Sequence, residues 1–164
     1  AEKKGLKNLI INAKSETIKA KETFKQAFKT RRCIILADGF FEWFDQVYKQ
    51  PYRITLKNRN LFALAGLYTT WVDEDQIKYS TTIITTKANP QMEKIHDRMP
   101  VILSEDEAKI WLNPEEKDFD LLYGLLKPYQ DLLDIYPVSK AVNDVKNDDK
   151  SVIEENKPII EPLI

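Results

Sequence analysis

The spacing of apolar residues along this chain changes twice, dividing it into three stretches. Near the start, residues 9–11 (Leu-Ile-Ile) form an apolar run that reads as a short strand, and a polar stretch follows over 12–21. A helix is expected next, with Thr23 as its N-cap and Phe24, Ala27 and Phe28 at i, i+3 and i+4 forming one apolar stripe. Lys29, Arg31 and Arg32 load its C-terminal end, where cations suit the helix dipole. The middle of the chain reads as strands. Residues 33–37 are continuously apolar, Asp38-Gly39 interrupts them, and 40–44 resumes in extended form. Residues 52–56 and 61–68 flank Asn58-Arg59-Asn60 and are expected to pair as a hairpin, with a further Thr- and Ile-rich strand over 79–86. Short connections without intervening helices argue for antiparallel pairing.

Helical spacing returns late in the chain. Ser104 and Glu107 form a capping box ahead of residues 108–112, and Asn113-Pro114 stops that helix. Asp118 caps a second helix carrying Leu121, Leu122, Leu125 and Leu126, ended by Pro128. Residues 132–138 read as a last strand, and the tail from Asn143 is polar, with a loop over 148–150. The expected class is therefore α+β: a curved, largely antiparallel β-sheet or half-barrel with peripheral helices. With 164 residues, no repeat and no linker composition, residues 1–164 are expected to form a single domain.

Composition narrows the function classes. At 43% hydrophobic and 31% charged, the chain is too apolar for disorder and too charged for a membrane protein, and no apolar run approaches a bilayer span. One Cys and one His exclude a Cys/His zinc site and an intramolecular disulfide. A monomer without metal or cofactor, in a reducing cytoplasmic compartment, is the expectation. The start lacks both the apolar stretch of a secretory signal and a Met, as in a fragment or a processed chain. The net charge of −1 hides an asymmetry: residues 1–32 hold ten Lys/Arg and three Glu, a net of +7, and the remainder carries −8. A solvated lysine-rich helix face explains this; so does an anionic partner such as nucleic acid.

Phosphate loops, nucleophile elbows and HExxH are absent, which leaves polar residues in apolar company. Glu42 stands within Phe40-Phe41-Glu42-Trp43-Phe44. On an aromatic face its carboxyl would be desolvated and suited to acid/base work; on an open face it would be a simple surface charge. His96, beside Asp97 and Arg98, is the one side chain that ordinarily titrates near neutrality, although a lone His is more often structural. Asn12 is either a turn former or an amide that positions a reacting group. Cys33, at the head of an apolar strand, reads as a small hydrophobe and not as a nucleophile.

These segments together resemble one family. INAKSET (11–17), RRCIILADGFFEW (31–43), FALAGLY (62–68), TIITTKAN (82–89), IHDRMPVIL (95–103) and YPVSKAVN (136–143) occur in the order and spacing of the SOS-response-associated peptidase (SRAP) family. ADGFFEW and IHDRMP are the most specific, and the resemblance covers nearly the whole chain. It implies an abasic-site sensor of the DNA damage response, cytoplasmic and nucleoid-associated, whose partner is single-stranded DNA containing abasic sites. In the family the α-amine of an N-terminal Cys forms a Schiff base with the ring-opened sugar, and its thiol closes a thiazolidine. Autopeptidase and AP-lyase activities accompany this chemistry. The resemblance assigns catalytic roles to Asn12, Glu42 and His96, and a phosphate contact to Arg98. Lys14 stands where the family has Arg, keeping the charge but losing the bidentate fork. Lys14, Arg31 and Arg32 would border a strand-binding groove, with Trp43 near a base. By family pattern the chain is truncated at its N-terminus, and the segment bearing the catalytic Cys is missing. Two other readings stand beside this one: a non-covalent single-stranded DNA-binding domain, and a protease acting in trans.

Overall fold

The computed structural model describes residues 12–44 and 48–157. Among the described residues, nine strands, three α-helices and several single 3-10 turns follow one another in an α+β arrangement, the class expected from the sequence. The strands are β1 (Asn12–Lys14), β2 (Arg32–Ala37), β3 (Phe40–Phe44), β4 (Gln50–Leu56), β5 (Phe62–Asp73), β6 (Gln76–Lys87), β7 (Arg98–Pro100), β8 (Ile102–Leu103) and β9 (Leu133–Pro137). The helices are α1 (Glu22–Thr30), α2 (Glu105–Leu112) and α3 (Phe119–Gly124). One sheet has the order β1-β6-β5-β2, with β7 on β6 and β8 on β5; the other has the order β3-β4-β9. The chain divides into two compact units, each assembled from three separate segments.

The first unit comprises Ala1–Ile35, Ala63–Thr86 and Pro100–Lys127. Its interior is one apolar cluster in which Phe24, Ala27 and Phe28 of α1 meet Trp111 of α2 and Leu122 of α3. The stripe read from the sequence is therefore the buried face of α1. Trp111 is fully buried and donates its indole N–H to the Cys33 carbonyl at 2.9 Å, so its polar atom is satisfied within the core. Gly66 is needed for close packing here: a Cβ would lie 2.4 Å from Ile35 Cδ1 and 3.1 Å from Cys33 Sγ. The capping box forms as expected, with Ser104 accepting from the Glu107 N–H and Glu107 accepting from the Ser104 N–H.

The second unit comprises Leu36–Phe62, Lys87–Met99 and Pro128–Ile164. It is built on the three-stranded sheet, with β4 paired antiparallel to β3 on one side and to β9 on the other. Tyr52, Ile54, Leu56, Met92, Met99, Leu133 and Val138 are buried in it, together with the polar Gln50, Arg53 and Asn89.

Several expectations are corrected. The two strands flanking Asn58-Arg59-Asn60 do not pair: both edges of β4 are taken by β3 and β9, and β5 enters the other sheet. Local turn chemistry reverses the chain without choosing its partner. Strand β5 instead pairs with β6 in a hairpin through Glu74-Asp75, with φ of 46° and 65°, between paired Asp73 and Gln76. Positive φ at both central residues is the primed geometry whose twist suits a two-residue loop. Pairing is not wholly antiparallel, since β1 runs parallel to β6 with Asn12 opposite Ile83. Residues 12–14, the start of the polar stretch over 12–21, are thus extended. Lys21, not Thr23, occupies the N-cap of α1, where burial of the apolar stripe outweighs cap chemistry. Helix α3 ends at Gly124, and Leu125 and Leu126 reach the core beyond it. The strand expected over 9–11 lies outside the described residues.

Candidate active site

The second unit brings Glu42 and His96 together. Strand β3 follows Asp38-Gly39, which Arg53 holds in place. The buried Arg53 guanidinium holds Asp38 Oδ2 at 2.9 Å, and a Cβ on Gly39 would lie 2.7 Å from Arg53 Nε. Pairing Glu42 with Tyr52 across the ladder sets the strand's register. Alternation then places Phe40, Glu42 and Phe44 on one face and Phe41 and Trp43 on the other.

His96 arrives on the loop after β6. Asn89 Oδ1 accepts the main-chain N–H groups of Gln91 and Met92 at 3.1 and 2.9 Å, and Asn89 Nδ2 donates to the Tyr129 carbonyl. The side chain of Gln91 exchanges two hydrogen bonds with the main chain of Leu133. A 3-10 turn over Met92–Lys94 follows, and the His96 N–H donates to the Met92 carbonyl at 2.8 Å. Ala88 N–H, bonded to the Asp97 carbonyl at 2.9 Å, closes the loop. Asn89 and Gln91 therefore position His96, a role the sequence reading missed. The signal was the Asn89-Pro90 dipeptide, a turn former just past a strand.

His96 Nε2 lies 3.9 Å from Glu42 Oε1, with the two side chains 36% and 25% exposed. On its other nitrogen the ring accepts the Arg98 main-chain N–H at 3.0 Å. Burial pushes the Glu42 carboxyl above the usual carboxylate range. The neighbouring imidazole and the Trp43 main-chain N–H pull it partly back, and Asp97 adds to the rise. A carboxyl that holds its proton longer than usual, beside an imidazole, is a pair able to exchange protons with a bound group.

The remaining sequence-predicted residues fall in different places. Trp43 projects from the face of β3 opposite Glu42, and its indole N–H donates to Asn143 Oδ1 at 2.8 Å. Arg98 opens β7 in the second unit, whereas Asn12, Lys14, Arg31 and Arg32 belong to the first. Asn12 and Lys14 are exposed on β1. Arg32 does structural work: its guanidinium donates to the carbonyls of Phe28, Lys29, Trp111 and Asn113. It thereby caps the C-terminal ends of α1 and α2 together. Cys33 sits half-buried on β2 with its thiol pushed up by burial, the environment of an inert cysteine. Among the described residues, no cluster of three His, Cys, Asp or Glu could hold a metal ion, and no helix is long and apolar enough to cross a membrane.

The sequence model of the SOS response associated peptidase family matches residues 1–145. The chain belongs to the SRAP family. Among its relatives, the abasic site processing protein YoqW of Bacillus subtilis is 49% identical over 151 residues, covering 90% of this chain and 67% of that protein. The abasic site processing protein HMCES of Xenopus tropicalis is 35% identical over 158 residues, covering 83% of this chain and 47% of that protein. A crystal structure of a Bacteroides thetaiotaomicron protein superimposes with a TM-score of 0.80 at 32% identity, covering 89% of this chain and 66% of that one. The chain thus spans about two thirds of the bacterial relative and about half of the vertebrate one.

Proposed function

We propose that this chain senses abasic sites in single-stranded DNA, with Glu42 and His96 as the proton-transfer pair for chemistry on the exposed sugar. The observation that carries this reading is the 3.9 Å approach of Glu42 to His96, contributed by the two most family-specific segments of the sequence. The names of the relatives support the substrate. An abasic sugar needs its ring opened, an amine to attack the aldehyde, and protons moved at each step. A carboxyl raised by burial beside an imidazole supplies the last of these. Asn12 is proposed to orient the attacking amine, and Lys14, Arg31 and Arg98 to contact phosphates. Trp43 is proposed to pack near a base outside the Glu42 face. Arg32 is left out of the contact set, because four of its donors already serve main-chain carbonyls.

The amine and thiol of the proposed crosslink come from an N-terminal Cys of the whole protein, since Cys33 has the environment of an inert thiol. Self-cleavage and lyase activity would draw on the same Glu and His. The test is to mix a full-length parent carrying that Cys with single-stranded DNA containing one abasic site. A heat-stable protein–DNA adduct is expected, and its absence with an intact N-terminus overturns the covalent reading. Non-covalent binding by this chain alone is the second reading, favoured by that same half-buried thiol. It predicts affinity that falls steeply with salt.

A further inference from the structure

One nitrogen of His96 has two claimants. The Arg98 main-chain N–H donates to Nδ1 at 3.0 Å, and Asp97 Oδ1 lies 3.2 Å from the same atom. The contacts demand opposite protonation: the N–H needs a lone pair on Nδ1, and the carboxylate needs a proton there. A neutral ring satisfies only one of them. The Arg98 N–H is part-buried and fixed in direction by the backbone entering β7, so a proton on Nδ1 would set donor against donor. The Asp97 side chain is 88% exposed and exchanges the ring for water at little cost. The backbone donor therefore wins the contest.

We infer that the Arg98 main-chain N–H holds neutral His96 as its Nε2–H tautomer, so that the ring nitrogen facing Glu42 is the one that carries the proton. At 3.9 Å, Nε2 and Glu42 Oε1 are too far apart for a direct hydrogen bond, so the Glu42 carboxyl does not select the tautomer. The tautomer does not rest on the proposed function.

His96 is the only histidine in the sequence, so its ring signals need no assignment by mutation. Long-range proton–nitrogen NMR on the 164-residue chain, without DNA, at a pH where the ring is neutral, reads the tautomer directly. The Nε2–H form is expected to exceed the Nδ1–H form by about tenfold or more. A predominant Nδ1–H form, or a mixture like that of a free imidazole, overturns the inference. The Arg98 amide signal should also move with the protonation of the ring, because a proton on Nδ1 removes its acceptor; an amide that stays still counts against the contact. In Asp97→Ala and Glu42→Gln, with folding checked by the amide spectrum, the tautomer ratio should hold. A collapse of the ratio in Asp97→Ala transfers the role to Asp97 and overturns the assignment to the Arg98 N–H. Because no DNA is present, these outcomes are independent of whether the adduct forms.

Discussion

The two compact units bury different chemistry. The first has a continuous apolar cluster around Trp111 and Phe28, and its buried polar side chains among the described residues are Ser15 and Thr86. The second buries Gln50, Arg53 and Asn89, each engaged with main chain or an ionic partner. Apolar packing is strong but undirected, since many arrangements of the right volume come close in energy. Buried hydrogen bonds are directional and costly when left unmade, so they fix a loop to a fraction of an ångström. The unit that sets Glu42 against His96 is the one that spends its interior on such bonds.

Mutations that act on one unit's chemistry or the other's packing would break or sharpen this contrast. The largest expected effect is on reactivity. Glu42→Gln in a full-length parent with an N-terminal Cys should slow adduct formation with abasic DNA by about 10²–10⁴-fold, as expected for loss of an acid/base group. The same variant reports on pH. Because burial raises the Glu42 carboxyl, the folded chain keeps a proton that the unfolded chain releases from about pH 4.3 upward. That contribution is complete below the unfolded value and is lost as pH rises through the folded one. Urea midpoints of Glu42→Gln should therefore gain on the wild type as pH climbs through this window. A parallel pair of curves would mean that Glu42 is as well solvated folded as unfolded.

Next in size is a packing effect. Trp111→Ala, which empties the centre of the first unit's core, should cost about 3–5 kcal/mol in urea unfolding. The smallest effect separates two arginines that sequence alone ranks together. Arg32→Ala should lower stability by about 1–3 kcal/mol through lost carbonyl caps while leaving the salt dependence of DNA binding unchanged. Arg98→Ala should reduce the log–log salt slope for single-stranded DNA by about 0.7, one phosphate contact. If Arg32→Ala lowers the slope and Arg98→Ala does not, the division of labour between the two residues is reversed.

Much of this was legible in the residues. The α1 stripe, the Ser104–Glu107 capping box, the Asp118 cap and the bounds of β3 follow from local spacing, because they depend on neighbours within four positions. The family segments named Glu42 and His96. The pairing of β4 with β9 instead of β5, and the parallel run of β1 on β6, were not legible, since a strand's partner is chosen by which edges the rest of the chain leaves open. Arg31 and Arg32 are adjacent and chemically alike, and only the carbonyls that converge on Arg32 distinguish them.

By itself the sequence determined the α+β class, most helix ends, the family, and which acid and which imidazole to examine, because periodicity, caps and motifs are local or ordered features of the chain. Tertiary structure alone decided that Glu42 and His96 approach within 3.9 Å, that burial raises the carboxyl, and that a main-chain N–H claims one ring nitrogen. Distance, solvation and hydrogen-bond direction are properties of residues brought together from far along the chain, and no local pattern encodes them.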